Sequence, residues 1–207
     1  MKRIGAMLAL ACALLVAGCV TPTSKNPIGM TTGLHRDLSL VGTWKDDFPW
    51  RDEGDTITVA PVGTDNSMTA FQVGLPEKKD GAGSFQLYEF TVARVGEHHF
   101  VNARKLPSRS EHTDQPDDWM PLYYTTTHDG RSLKLYYLSQ DKIVKAIESG
   151  ALKGRVEKHQ RKNDDGTVED AIDAITITAE PAELDAFMAK PEAADLFQLY
   201  KRYWRVD

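Results

Sequence analysis

Residues 122–139 read LYYTTTHDGRSLKLYYLS, and this stretch gives the clearest indication of the fold. Two runs rich in tyrosine, threonine and leucine flank Asp129-Gly130, a dipeptide typical of a two-residue type I′ turn. That turn fixes the register, and the pairs on one face are Leu122 with Tyr137, Tyr124 with Leu135 and Thr126 with Leu133. One face is apolar and the other is mixed. The stretch therefore predicts an antiparallel hairpin from a half-buried sheet.

A second hairpin is predicted over residues 85–106, FQLYEFTVARVGEHHFVNARKL, with its turn at Gly96-Glu97. The same reasoning gives an apolar face, with the pairs Tyr88 and Lys105, Phe90 and Ala103, and Val92 and Val101. Glu89 lies opposite Arg104 on the other face. We favour a solvent-facing ion pair of little energetic weight. The alternative is a polar patch inside an apolar ligand cavity, whose candidate residues are Glu89, Arg104, Asn102 and Trp44.

Short apolar runs alternate with turn signals through most of the chain. The candidate strands are 38–44, 56–61, 68–75, 85–95, 98–106, 122–128, 132–139 and 174–179. This spacing is typical of an antiparallel sheet, sandwich or barrel. Residues 155–170 are highly charged and contain Asn163-Asp164-Asp165-Gly166, which indicates an exposed hairpin or loop.

The C-terminal third changes character. Ser139 can cap a helix that runs to about Ser149 with Gly150 as its stop, and Pro181 and Glu183 suit the first turn of a second helix. A third helix is predicted from Pro191, because Leu196, Leu199, Tyr200, Tyr203 and Trp204 follow helical spacing. The predicted fold class is α+β: a mainly antiparallel, strongly curved or barrel-like sheet with C-terminal helices.

The N-terminus carries the features of a secretory signal. Lys2 and Arg3 precede the apolar residues 4–16, which at 1.5 Å per residue are too short to span a bilayer. The end of this stretch, Val16-Ala17-Gly18-Cys19, resembles the lipobox of bacterial lipoproteins. The resemblance implies a signal peptide over residues 1–18 and a diacylglycerol and fatty acyl modification at Cys19. Val20 implies transfer to the outer membrane of a Gram-negative host, with the body in the periplasm.

The domain organisation follows from these boundaries. Residues 19–34 are rich in Thr, Pro, Gly and Ser, which predicts a lipidated flexible tether. Residues 35–207 are predicted to form a single globular β-rich domain. Loss of Lys2 and Arg3 with the signal takes the formal charge from −5 to −7. This acidic body is unsuited to nucleic acid, so we expect no nucleic-acid partner.

A second resemblance lies at Gly42-Thr43-Trp44. It looks like the Gly-x-Trp of the first strand in lipocalin-type barrels, in which the Trp closes one end of the barrel. The resemblance implies a lipocalin-like, eight-stranded cup that binds a ligand. The Thr-Asp-Tyr loop of that family is missing from this chain.

The sequence contains no recognised catalytic motif, neither a Gly-x-Ser-x-Gly elbow nor a P-loop. Removal of Cys12 and acylation of Cys19 leave no thiol for catalysis or zinc. His98 and His99 point to opposite faces of a strand, although one of them with His112, His128 or His159 could form a site. We expect no catalytic residue, metal or cofactor beyond the covalent lipid at Cys19.

Three function classes stay open. The favoured one is a non-enzymatic binding module, anchored in the envelope membrane, for a lipid or other apolar ligand. The alternative is an interaction, inhibitor or assembly lipoprotein that binds an envelope protein. A hydrolase assembled only in space is the third. In each case the lipoprotein-processing and transport machinery is an expected partner. A carrier requires small residues at inward strand positions, whereas an interaction protein requires a filled core.

Overall fold

The computed structural model describes residues 20–47, 55–61, 66–74, 84–107, 118–162 and 166–206. The predicted signal peptide, Cys19, His112 and residues 163–165 of the charged stretch lie outside these described residues. None of the helices in these described ranges has the length and apolar composition that a membrane span requires.

The described residues form twelve strands and two α-helices. The strands are β1 (Thr23–Ser24), β2 (Leu34–His35), β3 (Gly42–Asp46), β4 (Thr56–Pro61), β5 (Met68–Gly74), β6 (Ser84–Val95), β7 (His98–Lys105), β8 (Met120–Thr126), β9 (Ser132–Leu138), β10 (Gly154–Lys162), β11 (Val168–Ile177) and β12 (Phe197–Val206). The helices are α1 (Gln140–Glu148) and α2 (Pro181–Met188), with short 3-10 turns at Leu38–Leu40 and Pro191–Leu196.

Eight of the strands close into an antiparallel barrel. Each strand from β3 to β8 pairs with the next one along the chain, up to β9. β12 then pairs with both β9 and β3, which closes the sheet and leaves no unpaired edge. The predicted α+β class with a barrel-like antiparallel sheet is confirmed.

Both predicted hairpins have the predicted register. Phe90 lies opposite Ala103 and Tyr124 lies opposite Leu135. Gly96 has a positive φ of 59° in a two-residue turn. The other turn differs from its prediction: Gly130 has φ 65°, but no described non-glycine residue has a positive φ, so Asp129-Gly130 is not type I′. The register survives because Thr127 N–H still bonds Ser132 O, at 3.1 Å.

The predicted third helix is wrong. After the 3-10 turn at Pro191–Leu196 the chain forms β12, which supplies the last wall of the barrel. Helical spacing and strand alternation both fit this aromatic-rich stretch, and pairing with β9 and β3 decides between them. The aromatic residues predicted to share one helix face therefore lie on opposite faces of a strand: Tyr203 is buried inside the barrel, whereas Trp204 is 47% exposed.

The other C-terminal elements agree with the sequence. Helix α1 follows Ser139 and ends before Gly150, which has φ 74°, although the Ser139 side chain makes no capping hydrogen bond. Helix α2 begins at Pro181 with Glu183 in its first turn. The charged stretch forms the hairpin of β10 and β11.

The N-terminal segment differs from the predicted flexible tether, because residues 20–35 are packed on the body. β1 pairs in parallel with β11, and β2 pairs with β6. Ile28 is fully buried. At Gly29, which has φ 92°, an added Cβ would approach the Ala93 Cβ to 2.1 Å. One buried isoleucine and a close-packed glycine outweigh the polar composition of the segment.

Two cores result. One fills part of the barrel interior, and the other lies between the outer barrel wall and the helices, the β10–β11 hairpin and the N-terminal segment. Outward-facing side chains of the barrel that enter this second core are Ala93, Val95, Phe100, Leu138 and Phe197. The C-terminal elements therefore cover one outer face of the barrel and leave its interior accessible from the end.

Candidate ligand cavity

An apolar cavity of about 380 Å³ lies inside the barrel. The aliphatic part of its lining includes Leu40, Ile57, Val59, Val101, Leu122 and Leu133. The strand positions in this set alternate with outward-facing residues, as the pleat requires, whereas Leu40 lies in the 3-10 turn before β3. The volume is typical of small-molecule sites, which hold roughly 300–1,000 Å³.

Small side chains keep the interior open. Ala70 and Ala103 both line the cavity. On β7, Ala103 pairs with Phe90 of β6 on one side and with Met120 of β8 on the other. The alanine side chain is only a methyl group, so it leaves space in the barrel that a larger side chain would fill.

One end of the barrel, where β3 begins, is closed; we call it the base. Trp44 is fully buried here, and its indole Nε1 donates to Leu40 O at 2.9 Å. The Arg205 guanidinium lies 4.4 Å from the centre of the Trp44 ring, and its Nη1 donates to Val41 O at 2.9 Å. A cation over an indole face adds to the packing that closes the base.

Asp37 supports the same closure. Its carboxylate accepts a hydrogen bond from the Tyr124 hydroxyl at 2.7 Å and one from the Ser39 amide at 2.9 Å. Burial acts to raise the pKa of Asp37, but the hydrogen bonds from Ser39 and Tyr124 outweigh it and hold the pKa below its usual range. Burial and the bond to Asp37 raise the pKa of Tyr124. Tyr124 therefore stays a donor at neutral pH.

At the opposite end, which we call the mouth, β3 ends and β12 begins. Tyr200 lines the cavity and is 52% exposed, so the cavity reaches the surface there. Lys201 Nζ lies 2.6 Å from Asp55 and 3.0 Å from Asp46. Burial acts to lower the pKa of Lys201, yet the two carboxylates raise it overall. Its charge is already compensated and offers little to an anionic ligand.

Polar groups continue from this cluster into the cavity. Gln72 lines the cavity, and its amide reaches Asp55 at 3.5 Å. Tyr203 also lines the cavity and is 2% exposed. Burial, together with Tyr200, Asp46 and Asp55, raises its pKa, so it stays neutral. The Tyr203 hydroxyl makes no hydrogen bond to the described residues, and is thus available to a polar group of a ligand.

Of the four predicted cavity residues, Trp44 alone is inside the barrel, at the base. Glu89 and Arg104 face outward, since their neighbours Tyr88 and Ala103 line the cavity. They form the expected cross-strand ion pair at 2.7 Å, and the Arg104 guanidinium lies 4.9 Å from the Trp119 ring.

Asn102 is also outside the cavity. It is fully buried under the N-terminal segment, where its amide accepts from Ile28 N and donates to Ile28 O, both at 2.8 Å. A fixed amide that pairs with both backbone groups of Ile28 is a docking contact for that segment. The interpretation of Asn102 as a ligand contact is wrong for this reason.

The histidines do not converge in the described part of the chain. His98 lies against Lys190 O at 3.0 Å, and His159 lies against Asp173 at 2.6 Å. Burial, with the nearby Arg94, lowers the pKa of His99. No group of three or more His, Cys, Asp or Glu side chains among the described residues is arranged to hold a metal ion.

The fold and the site define a class: an antiparallel eight-stranded barrel that is closed at one end and encloses an apolar cavity. Comparisons add no closer assignment. No family model, no curated protein sequence and no solved structure matches the chain at a significant level.

Proposed function

We propose that this protein is a non-enzymatic, membrane-anchored lipoprotein of the cell envelope that binds an apolar ligand inside its barrel. The apolar cavity of about 380 Å³ carries this proposal. A protein whose barrel had only a structural role would fill this space with side chains, since each unfilled methylene volume costs stability. The presence of Ala70 and Ala103 at inward positions supports binding as the reason for the space.

The cavity volume limits the ligand. An apolar protein cavity of about 150 Å³ accommodates benzene, with six carbon atoms. At the same ratio this cavity accommodates on the order of 15 non-hydrogen atoms. That size suits one aliphatic chain with a small head group. Tyr203 and Gln72 would meet the head group, and the engaged Lys201 favours an uncharged head over a carboxylate.

A relationship to lipocalin-type barrels forms part of the proposal. Gly42-Thr43-Trp44 lies on the first barrel strand, and Trp44 closes the base as that resemblance implies. Two features differ: a hairpin and two helices separate β9 from β12, and the Thr-Asp-Tyr loop is missing from the sequence.

A co-purified ligand tests the binding function. The full-length chain, purified from membranes, is extracted with organic solvent, and the extract is analysed by mass spectrometry. We expect a reproducible single-chain lipid in near-stoichiometric amount. Absence of any enriched compound, together with no binding of a neutral aliphatic probe, would contradict the proposal.

An interaction protein is the second candidate, and one surface favours it. Phe71 and Phe85 are 39% and 64% exposed on the outer face of β5 and β6, with ring centres 6.1 Å apart. Exposed aromatic groups of this kind are typical of protein contacts. Cross-linking of the full-length chain to one envelope protein, without a bound lipid, would favour this candidate.

The anchor has its own prediction. Cys19→Ser removes the thiol that the lipobox resemblance assigns to diacylglycerol, and Ser has no thiol to form that thioether. We expect incorporation of labelled fatty acid to be abolished and the protein to leave the membrane fraction. Fractionation beside a Thr21→Ser control measures this. Membrane retention of Cys19→Ser at the wild-type level would refute the anchor.

A further inference from the structure

The geometry points to an orientation on the membrane: we propose that the mouth of the barrel faces the bilayer in which Cys19 is anchored, so that ligand passes between bilayer and cavity. This inference rests on the proposed function, both on lipidation of Cys19 and on ligand binding in the barrel. The occupant of the surface around the mouth is therefore a lipid bilayer.

The first argument is the position of the anchor. Thr21 lines the cavity, and only two peptide units separate it from Cys19. Consecutive Cα atoms lie 3.80 Å apart, so the anchored residue is within about 8 Å of the Thr21 backbone. Ser24 pairs with Trp119, directly before β8, and β8 begins at the same end of the barrel as β12, so the acyl chains would start beside the mouth.

The second argument is the lack of slack between anchor and body. Val20 N donates to the Gln140 side chain at 2.9 Å, and Val20 packs on the outer core. Ser24 then exchanges backbone hydrogen bonds with Trp119, at 2.7 and 2.8 Å, just before β8 begins. A flexible tether would let the barrel rotate, whereas this docked segment restricts the end of the barrel that can meet the membrane.

The third argument is the composition of the rim. Large apolar side chains are exposed around the mouth on opposite sides of the barrel, and with their exposed fractions they are Val73 41%, Phe85 64%, Leu199 49% and Tyr200 52%. Val73 and Phe85 pair at the end of the β5–β6 hairpin, while Leu199 and Tyr200 lie near the start of β12. Aromatic and aliphatic groups of this kind suit the interfacial region of a bilayer.

Together these features give the ligand a dry path. An aliphatic chain that moves from the bilayer into the cavity past an apolar rim need not be transferred through water, and so avoids the unfavourable hydration of its apolar surface. The polar group at Tyr203 lies on one wall of the same path.

Two positions on β12 test the orientation. Leu199 lies at the mouth and Val206 toward the base, and their exposed fractions are 49% and 48%. They are seven positions apart along the strand, which corresponds to about 24 Å. Leu199→Cys and Val206→Cys are introduced singly into the full-length chain, in which processing and acylation leave no other thiol. Each is labelled with a small fluorophore and placed in phosphatidylcholine vesicles that contain nitroxide-labelled lipid.

We expect lipid quenching at least twofold stronger at position 199 than at position 206. Equal quenching at the two positions, or stronger quenching at position 206, overturns the proposed orientation. Ligand binding in the barrel is tested independently by the extraction experiment. Failure of both labelled proteins to float with vesicles overturns the anchor and, with it, this inference. Whether the wild-type protein retains a ligand is measured separately. This measurement distinguishes failure of the anchor from failure of ligand binding.

Discussion

Ala103→Trp is expected to abolish ligand binding and leave the barrel folded. Ala103 is 5% exposed on β7 and lines the cavity between Phe90 and Met120. An indole at this position enters the free volume that an aliphatic chain would occupy. We expect the affinity for a neutral apolar probe, N-phenyl-1-naphthylamine, to fall at least tenfold, as measured by fluorescence titration of the full-length chain.

The free energy of unfolding of Ala103→Trp shows whether the indole fills the cavity of a folded barrel or disrupts the fold. Overpacking a full core costs about 1–3 kcal/mol, whereas a ring placed in empty space costs less. A ligand at 100 times its Kd stabilises the wild type by about 2.7 kcal/mol, and the variant should lose this increment. Ala171→Trp, on β11 and outside the barrel, is the matched control and should bind as the wild type does. Unchanged probe affinity in Ala103→Trp would show that binding occurs elsewhere.

The sequence predicted the part of the cavity that β6 and β7 form, but not the part that β12 forms. The alternation through Tyr88, Phe90 and Val92 and a glycine turn identified the inward face of β6 and β7, and the structure has that register. The polar candidates Glu89 and Arg104 belonged to the other face, as alternation already indicated. Strong period-2 patterning with a turn of fixed length is local information, and it is sufficient for this part of the cavity.

The mouth could not be predicted because its residues depend on long-range pairing. Residues 199–205, LYKRYWR, fit helical spacing and strand alternation equally well, and only pairing with β3 and β9 places Lys201 and Tyr203 inside. Asp55 precedes β4 and reaches Lys201 across 146 residues of sequence. The signal that could have favoured the strand is the density of Tyr and Trp, which prefer sheets.

The prediction of a flexible N-terminal tether differed from the structure for another reason. Its composition is polar and rich in Gly and Pro, and such composition usually indicates a flexible tether. What holds it is a small number of buried contacts made by partners far away in sequence. Asn102 binds Ile28, and Asp185 of α2 binds the two residues on either side of Met30. Composition averages over these positions and therefore misses them.

Asp185→Ala is expected to release this segment. The Asp185 carboxylate is 4% exposed and accepts hydrogen bonds from Gly29 N at 2.6 Å, Thr31 N at 2.8 Å and the Thr31 hydroxyl. Its removal leaves the buried Gly29 amide without a partner, at a cost of about 1–3 kcal/mol, and the two part-buried donors of Thr31 also lose their hydrogen bonds. We expect the free energy of unfolding, from urea titration of the full-length chain, to fall by about 3 kcal/mol.

Hydrogen exchange locates the effect. Amides of residues 28–33 should lose protection in Asp185→Ala before those of the barrel strands, because the segment can detach while the closed sheet persists. Asp173→Ala is the matched control: Asp173 lies on β11 with its side chain 48% exposed beside His159, and its loss should cost less than about 1 kcal/mol. Equal protection of residues 28–33 in both variants would mean that Asp185 does not hold the segment.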